Sequence, residues 1–221
     1  MSDTSRRTLI HASLASLGAA ALSGCAPGGR GEPSLLGLRE PPPLDTGGWG
    51  DTALETPGSC SDTPAFAEGP YYRDDAPVRA DLRTAGETGT VLRLQMEVRS
   101  ARDCRLLPDA IVDFWHVMQT GVYDLETEDM HYRCRLRTGY DGRVEVTTLK
   151  PISYYTDTGK LMPAHFHMKV TADGHEALTT QLRFLNDPDD DGQLPTELML
   201  NPSTAADGSL DASFTFVLEP S

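Results

Sequence analysis

His165 and His167, in the stretch "MPAHFHMKV" (162–170), are separated by one phenylalanine in a run that otherwise alternates as a β-strand does. Residues i and i+2 of a strand share a face, so both imidazoles point the same way while Phe166, Met168 and Val170 supply an apolar opposite face. Two neutral imidazoles on one face can hold a transition metal. The H-x-H pattern alone favours a plainer arrangement, two hydrogen-bonded histidines on a solvated face. Further ligands from elsewhere in the chain are what would make the pair a metal site.

Other chemistry-bearing stretches are few. "DPDDDG" (187–192) sets Asp187, Asp189, Asp191 and Gly192 as in the first half of a calcium loop, but Leu198 stands where a bidentate glutamate is needed, so a solvated acidic loop is expected. His116 reads as a core or supporting histidine, His131 and His175 as surface residues, and Trp115 as core. No glycine-rich phosphate loop, CxxC pair or serine-nucleophile motif is present.

The elements that must position the histidines are strands. "VLRLQMEVR" (91–99) alternates strictly, with Leu92, Leu94, Met96 and Val98 on one face, the pattern of a half-buried antiparallel strand. Further strand runs are 110–116, 143–149, 164–170, 177–184 and 213–218. The Asp141-Gly142 pair between "YRCRLRTGY" and "RVEVTTL" predicts a hairpin. No segment keeps a helical apolar period for three turns, and there is no internal repeat. The expected fold is all-β, an antiparallel β-sandwich with long active-site loops.

The first 59 residues read differently. Arg6 and Arg7, a short Ala-rich apolar stretch from Leu9 to Leu22 and the box "LSGC" follow in order, which resembles a twin-arginine export signal fused to a lipoprotein signal (1–24). In such signals the cysteine, here Cys25, becomes the lipidated first residue. Residues 26–59 hold six prolines and eight glycines in 34 positions, so 25–59 is expected to be a lipidated cysteine plus a tether, leaving a domain at 60–221. That composition implies an exported protein, lipid-anchored at the bacterial cell envelope, whose contact with the membrane is the anchor alone. Cys60, Cys104 and Cys134 then meet an oxidising compartment, where one of three possible disulfides is expected. The 221-residue chain has a formal charge of −14, an acidity that argues against nucleic acid or anionic lipid as partner.

Five stretches taken in order, "EGPYYRDDAPVRADL" (68–82), "VDFWHVMQTGVYD" (112–124), "DGRVEVTTLKPISYY" (141–155), "PAHFH" (163–167) and "LTTQLRF" (178–184), resemble the intradiol ring-cleaving dioxygenases of the catechol and protocatechuate type, and more closely their exported single-domain relatives. The resemblance spans most of residues 60–185. It implies a mononuclear Fe(III) held by two tyrosinates and two histidines: Tyr123 in "TGVYD", Tyr154 in "KPISY" with adjacent Tyr155 as its rival, and His165 and His167. It further implies catalytic roles for Tyr154, Gln181 and Arg133, and places Tyr72 and Met162 against the substrate. The implied reaction is cleavage of a catechol-type aromatic by O2 to a muconate-type diacid.

The ligand types suit that metal. Phenolate is a hard anionic oxygen donor that favours ferric over ferrous iron, and a tyrosine ionises at neutral pH only because the metal displaces its proton. One position departs from the family. Where members usually carry an arginine just before the first histidine, this chain has Met162, and Lys160 or Arg133 are the nearest cations in sequence. Two alternatives follow: a catalytically weak iron-containing relative that only binds catecholic compounds, or a metal-free cell-surface β-sandwich interaction module.

Overall fold

The computed structural model describes residues 60–221, so the signal, Cys25 and the tether lie outside the described residues. Eleven strands in chain order are β1 (Val91–Ser100), β2 (Ile111–Trp115), β3 (Arg133–Arg137), β4 (Arg143–Leu149), β5 (Tyr154–Tyr155), β6 (Leu161–Met162), β7 (His165–Thr171), β8 (Leu178–Phe184), β9 (Met199–Leu200), β10 (Ser203–Thr204) and β11 (Leu210–Leu218). The sole helical element among the described residues is one 3-10 turn, Thr196–Leu198. Two sheets form, ordered β10-β11-β1-β4 and β3-β2-β7-β8-β9, with β5 and β6 as a separate small ladder. The architecture is an all-β sandwich.

Strand β1 follows its alternation. Leu92, Leu94, Met96 and Val98 are fully buried, while the residues between them are half exposed. From the second sheet Val112, Phe114, Phe166, Met168, Val170 and Leu182 join the same core. Completely burying each such side chain contributes about 1.5–3 kcal/mol, so this seam dominates the stability of the fold.

Two expectations need correction. The Asp141-Gly142 turn does not join a hairpin: β3 belongs to one sheet and β4 to the other. The local turn forms, with the Gly139 amide donating to the Arg143 carbonyl at 3.0 Å, but the strands then part. Instead β4 pairs along its whole length with β1, and its buried Val146 and Thr148 enter that sheet. Turn chemistry specifies a reversal and not which sheet receives the next strand. The second correction is that pairing is not wholly antiparallel. β1 and β11, the first and last long strands, pair in parallel from Leu92↔Leu210 to Ser100↔Leu218, the intervening chain serving as the crossover that parallel pairing needs.

One disulfide, Cys60–Cys104, ties the start of the described domain to the turn after β1, and Cys134 is free and buried. The acidic loop makes ion pairs: Asp187 pairs with Lys150 at 3.2 Å, and Asp190 and Asp191 both pair with Arg183. Among the described residues no three His, Cys, Asp or Glu side chains gather to hold a metal.

Candidate metal and substrate site

Because Phe166, Met168 and Val170 fill the core, His165 and His167 project from the other side of the second sheet. That side is roofed by loops, leaving His165 1% and His167 3% exposed, so the solvated face expected from the pattern alone is absent here. Cross-strand register puts Arg133, Trp115, His167 and Gln181 in one line across β3, β2, β7 and β8, with His165 opposite Arg183 one step along. The indole of Trp115 stacks on the His167 ring at 4.9 Å and 5°, fixing the imidazole plane.

The loop after β2 delivers Tyr123. Its turn closes through the Gly121 amide on the Met118 carbonyl at 3.0 Å, and Gly121 has φ +82°, a conformation that costs a residue with a side chain. Tyr123 Oη then lies 3.3 Å from His165 Nε2 and 3.1 Å from His167 Nε2, and the two Nε2 atoms are 3.0 Å apart. His165 donates its Nδ1 proton to the Pro163 carbonyl at 2.6 Å, which leaves a bare lone pair on Nε2. Three atoms able to ligate a metal therefore converge on one point, each within 3.0–3.3 Å of the other two, so that one cation could be held by all three. Tyr154 supplies a fourth ring, 5.7 Å from Tyr123 and 5.9 Å from His165 between centroids. Tyr155, its rival in sequence, is 69% exposed.

Electrostatics suit neutral imidazoles and protonated phenols in the free protein. Burial lowers His165 to about 4 and, with His165 beside it, holds His167 well below its ordinary value. Burial pushes the Tyr123 phenol far up, aided by Tyr154, and raises Tyr154 as well, although the Tyr123 hydroxyl opposes that rise. Such phenols stay protonated at neutral pH unless a bound metal ion displaces their protons, which are released to solvent. A His2Tyr2 set of this kind fits a hard trivalent cation.

Asp124 holds the Tyr123 loop. Burial would raise its carboxyl, but the Thr127 hydroxyl and the amides of Thr127, His131 and Glu126 outweigh it and hold it below the usual range. Its backbone carbonyl accepts from Arg133 Nε at 3.1 Å. Arg133 is 2% exposed, its Nη2 has no partner, and burial, reinforced by Arg73, lowers it to about 10. Gln181 is buried opposite His167. Met162 sits opposite Tyr154 and packs, half-buried, on the cluster of Trp115, Val117, Tyr123 and Tyr154. Tyr72 reaches that cluster through Trp115, at 5.1 Å between rings, and burial together with Asp113 raises its phenol to about 12. His116 engages both ring nitrogens, with the Val117 carbonyl and with Thr148, and takes no part in the cluster of donors.

Three contributors escaped the sequence reading. Tyr71, the neighbour of the tyrosine singled out, stacks on Tyr123 at 4.4 Å and 20°. Gly69 lies over His167, where an added Cβ would stand 3.2 Å from Cε1. Arg183 is buried beside His165. A Gly-Pro pair such as that at 69–70 is a general turn signal, and nothing in the sequence marks the close approach.

A family model described as Dioxygenase matches residues 67–220. The chain belongs to this dioxygenase family. A chlorocatechol 1,2-dioxygenase of Cupriavidus pinatubonensis is 35% identical over 179 residues, covering 72% of this chain and 69% of that protein. Among solved structures, the dioxygenase domain of a dioxygenase carbohydrate-binding protein fusion from Streptomyces sp. SirexAA-E is 31% identical with a TM-score of 0.64, covering 73% of this chain and 100% of that one. The 3-chlorocatechol 1,2-dioxygenase of Rhodococcus opacus, 24% identical, shares the fold with a TM-score of 0.68 over 72% of this chain and 73% of that one. This dioxygenase is an intradiol ring-cleavage enzyme, and the metal-free interaction module is thereby set aside.

Proposed function

We propose that the dioxygenase holds one ferric iron on Tyr123, Tyr154, His165 and His167 and cleaves a catechol-type aromatic with O2 to a muconate-type diacid. The observation that carries this reading is the convergence of Tyr123 Oη with the two Nε2 atoms, all within 3.0–3.3 Å of one another. Ferric iron bound there supplies Lewis-acid polarisation of a chelating catecholate and a template for its reaction with O2.

The chain's own residues do the rest. The hydrogen bond from His165 Nδ1 to Pro163 and the Trp115 stack on His167 fix both imidazole planes, so little reorganisation accompanies binding. Tyr154, on the two-residue strand β5, is the group proposed to accept a catechol proton at Oη. Met162 gives the Tyr154 side an apolar wall that excludes water, and the buried Arg133 guanidinium supplies positive potential near Tyr123. Tyr72, packed against Trp115, is proposed to border the substrate. The test is metal analysis of the purified protein together with oxygen uptake on a panel of catechols. About one iron per chain and uptake matched by diacid are expected, and iron without any uptake would favour the binding-only alternative.

Export and anchoring belong to the same proposal. The Arg6-Arg7 signal and Cys25 would place the domain outside the cytoplasm, where the Cys60–Cys104 disulfide is stable. Lipid labelling that disappears in Cys25→Ser supports this, and labelling that persists contradicts it.

A further inference from the structure

Five buried side-chain atoms lack a hydrogen-bond partner among the described residues: Trp115 Nε1, Arg133 Nη2, His167 Nδ1, Gln181 Oε1 and Arg183 Nε. Their placement is not scattered. Four belong to the single register line Arg133–Trp115–His167–Gln181, and the fifth stands opposite His165. Leaving a buried polar atom without a partner is costly, so such a row calls for a cause.

Donor and acceptor character sorts the row. Trp115 Nε1, Arg133 Nη2 and Arg183 Nε can only donate, and Gln181 Oε1 can only accept. The amide orientation of Gln181 is fixed because its Nε2 donates to the Ala67 carbonyl at 2.8 Å, and a carbonyl there can pair only with the NH2 side. Oε1 is thus held on the other side, on the strand neighbour of His167. Directly opposite residues on adjacent strands have Cβ atoms about 4.5–5.5 Å apart, nearer than Gln181 stands to Arg183 along its own strand. His167 Nδ1 is the orphan on that neighbour. If Nε2 of His167 is to face Tyr123 and His165 as a ligand, its proton must sit on Nδ1, and that proton needs an acceptor. His165 already has one in Pro163.

We propose that Gln181 is the positioning residue of His167, its Oε1 accepting, through one bridging water, the hydrogen bond that Nδ1–H donates, and so locking the tautomer that turns Nε2 toward the metal. This rests on the ferric reading above and gives Gln181 a task separate from contact with substrate. The segment Ala67–Gly69 completes the device: Ala67 anchors the amide, and Gly69 lies over the imidazole edge, where a side chain would crowd it.

The test is chelator competition on the iron-loaded full chain, read with the visible absorption band. In Gln181→Leu the chelator concentration that strips half the iron should fall at least ~10-fold and the band should shift, as for the loss of other groups that orient a ligand histidine. Gln181→Glu keeps an acceptor but gives up the amide donor to Ala67, and should recover part of the loss. Thermal unfolding of the metal-free forms checks folding, and if Gln181→Leu does not fold, the glutamate variant alone decides by its retention of iron and band. Overturning results are a Gln181→Leu protein that keeps iron and band while only kcat falls, which would make Gln181 a substrate contact, or a glutamate variant no better than leucine. A wild-type protein that takes up no iron would instead defeat the ferric reading itself.

Discussion

Tyr154 stands directly opposite Met162 on the β5–β6 ladder, and both lie against the Trp115–Tyr123 cluster, whereas the next pair, Tyr155 and Leu161, occupies the alternate face. One residue of register separates a proposed ligand from a surface tyrosine. Tyr154→Phe should lower ring cleavage by about 100-fold or more, the range for loss of a proton-transfer group, while Tyr155→Phe leaves rate and iron content as they are. Steady-state oxygen uptake on both variants checks this, and the reverse pattern would exchange the assignments.

The same pairing makes Met162 a probe of charge. A thioether cannot stabilise negative charge developing on the substrate ring, and one positioned donor is typically worth roughly 100- to 1000-fold in rate. Met162→Arg should therefore raise kcat by at least ~10-fold at unchanged iron content, and Arg133→Met should lower it. A wild type as fast as arginine-bearing relatives, unaffected by Arg133→Met or Lys160→Met, would contradict a charge requirement at this site.

Gly69 offers a test by close approach. Its φ of +73° is costly for other residues by about 1–2 kcal/mol, and a Cβ 3.2 Å from His167 Cε1 must push the imidazole. Gly69→Ala is expected to lower the melting temperature of the metal-free protein by a few degrees and to weaken iron retention as well. Loss of stability with unaltered retention would mean the roof is structural only.

How much of this was legible beforehand varied with the range of the interaction. β1 and β4 could be read because period-2 alternation is a local consequence of burying one face, and 143–149 coincides with β4. His165 and His167 shared a face for the same reason. Tyr123 and Tyr154 carry no local signal of their own, and only family resemblance joined them to the histidines. The Tyr71 stack, the Gly69 roof and the row of unpartnered atoms depend on register between strands distant in sequence. Local patterning also leaves open whether a face meets water or loops, so the H-x-H pattern alone favoured a solvated face where the structure has a buried one.

Cys60–Cys104 closes 44 residues of chain, and sequence left three pairings open. Constraining a loop of that length in the unfolded state is worth about 2–4 kcal/mol. Cys104→Ser should lower the unfolding free energy by that amount under non-reducing conditions and make it indifferent to reductant, whereas Cys134→Ser, which breaks no disulfide, should keep the wild-type response to reductant. Equal midpoints for oxidised and reduced wild type would remove the disulfide from the account.

The most direct measurement of the central claim is the visible spectrum of the purified protein, recorded before and after anaerobic addition of catechol. Tyrosinate bound to ferric iron is expected to give a broad charge-transfer band and a red-brown colour, which Tyr123→Phe shifts or bleaches, and catechol should move the band to longer wavelength before any oxygen is admitted. A colourless protein that stays colourless when supplied with iron, or a band indifferent to both Tyr123→Phe and catechol, would contradict the assignment of Tyr123, Tyr154, His165 and His167 to a ferric ring-cleaving centre.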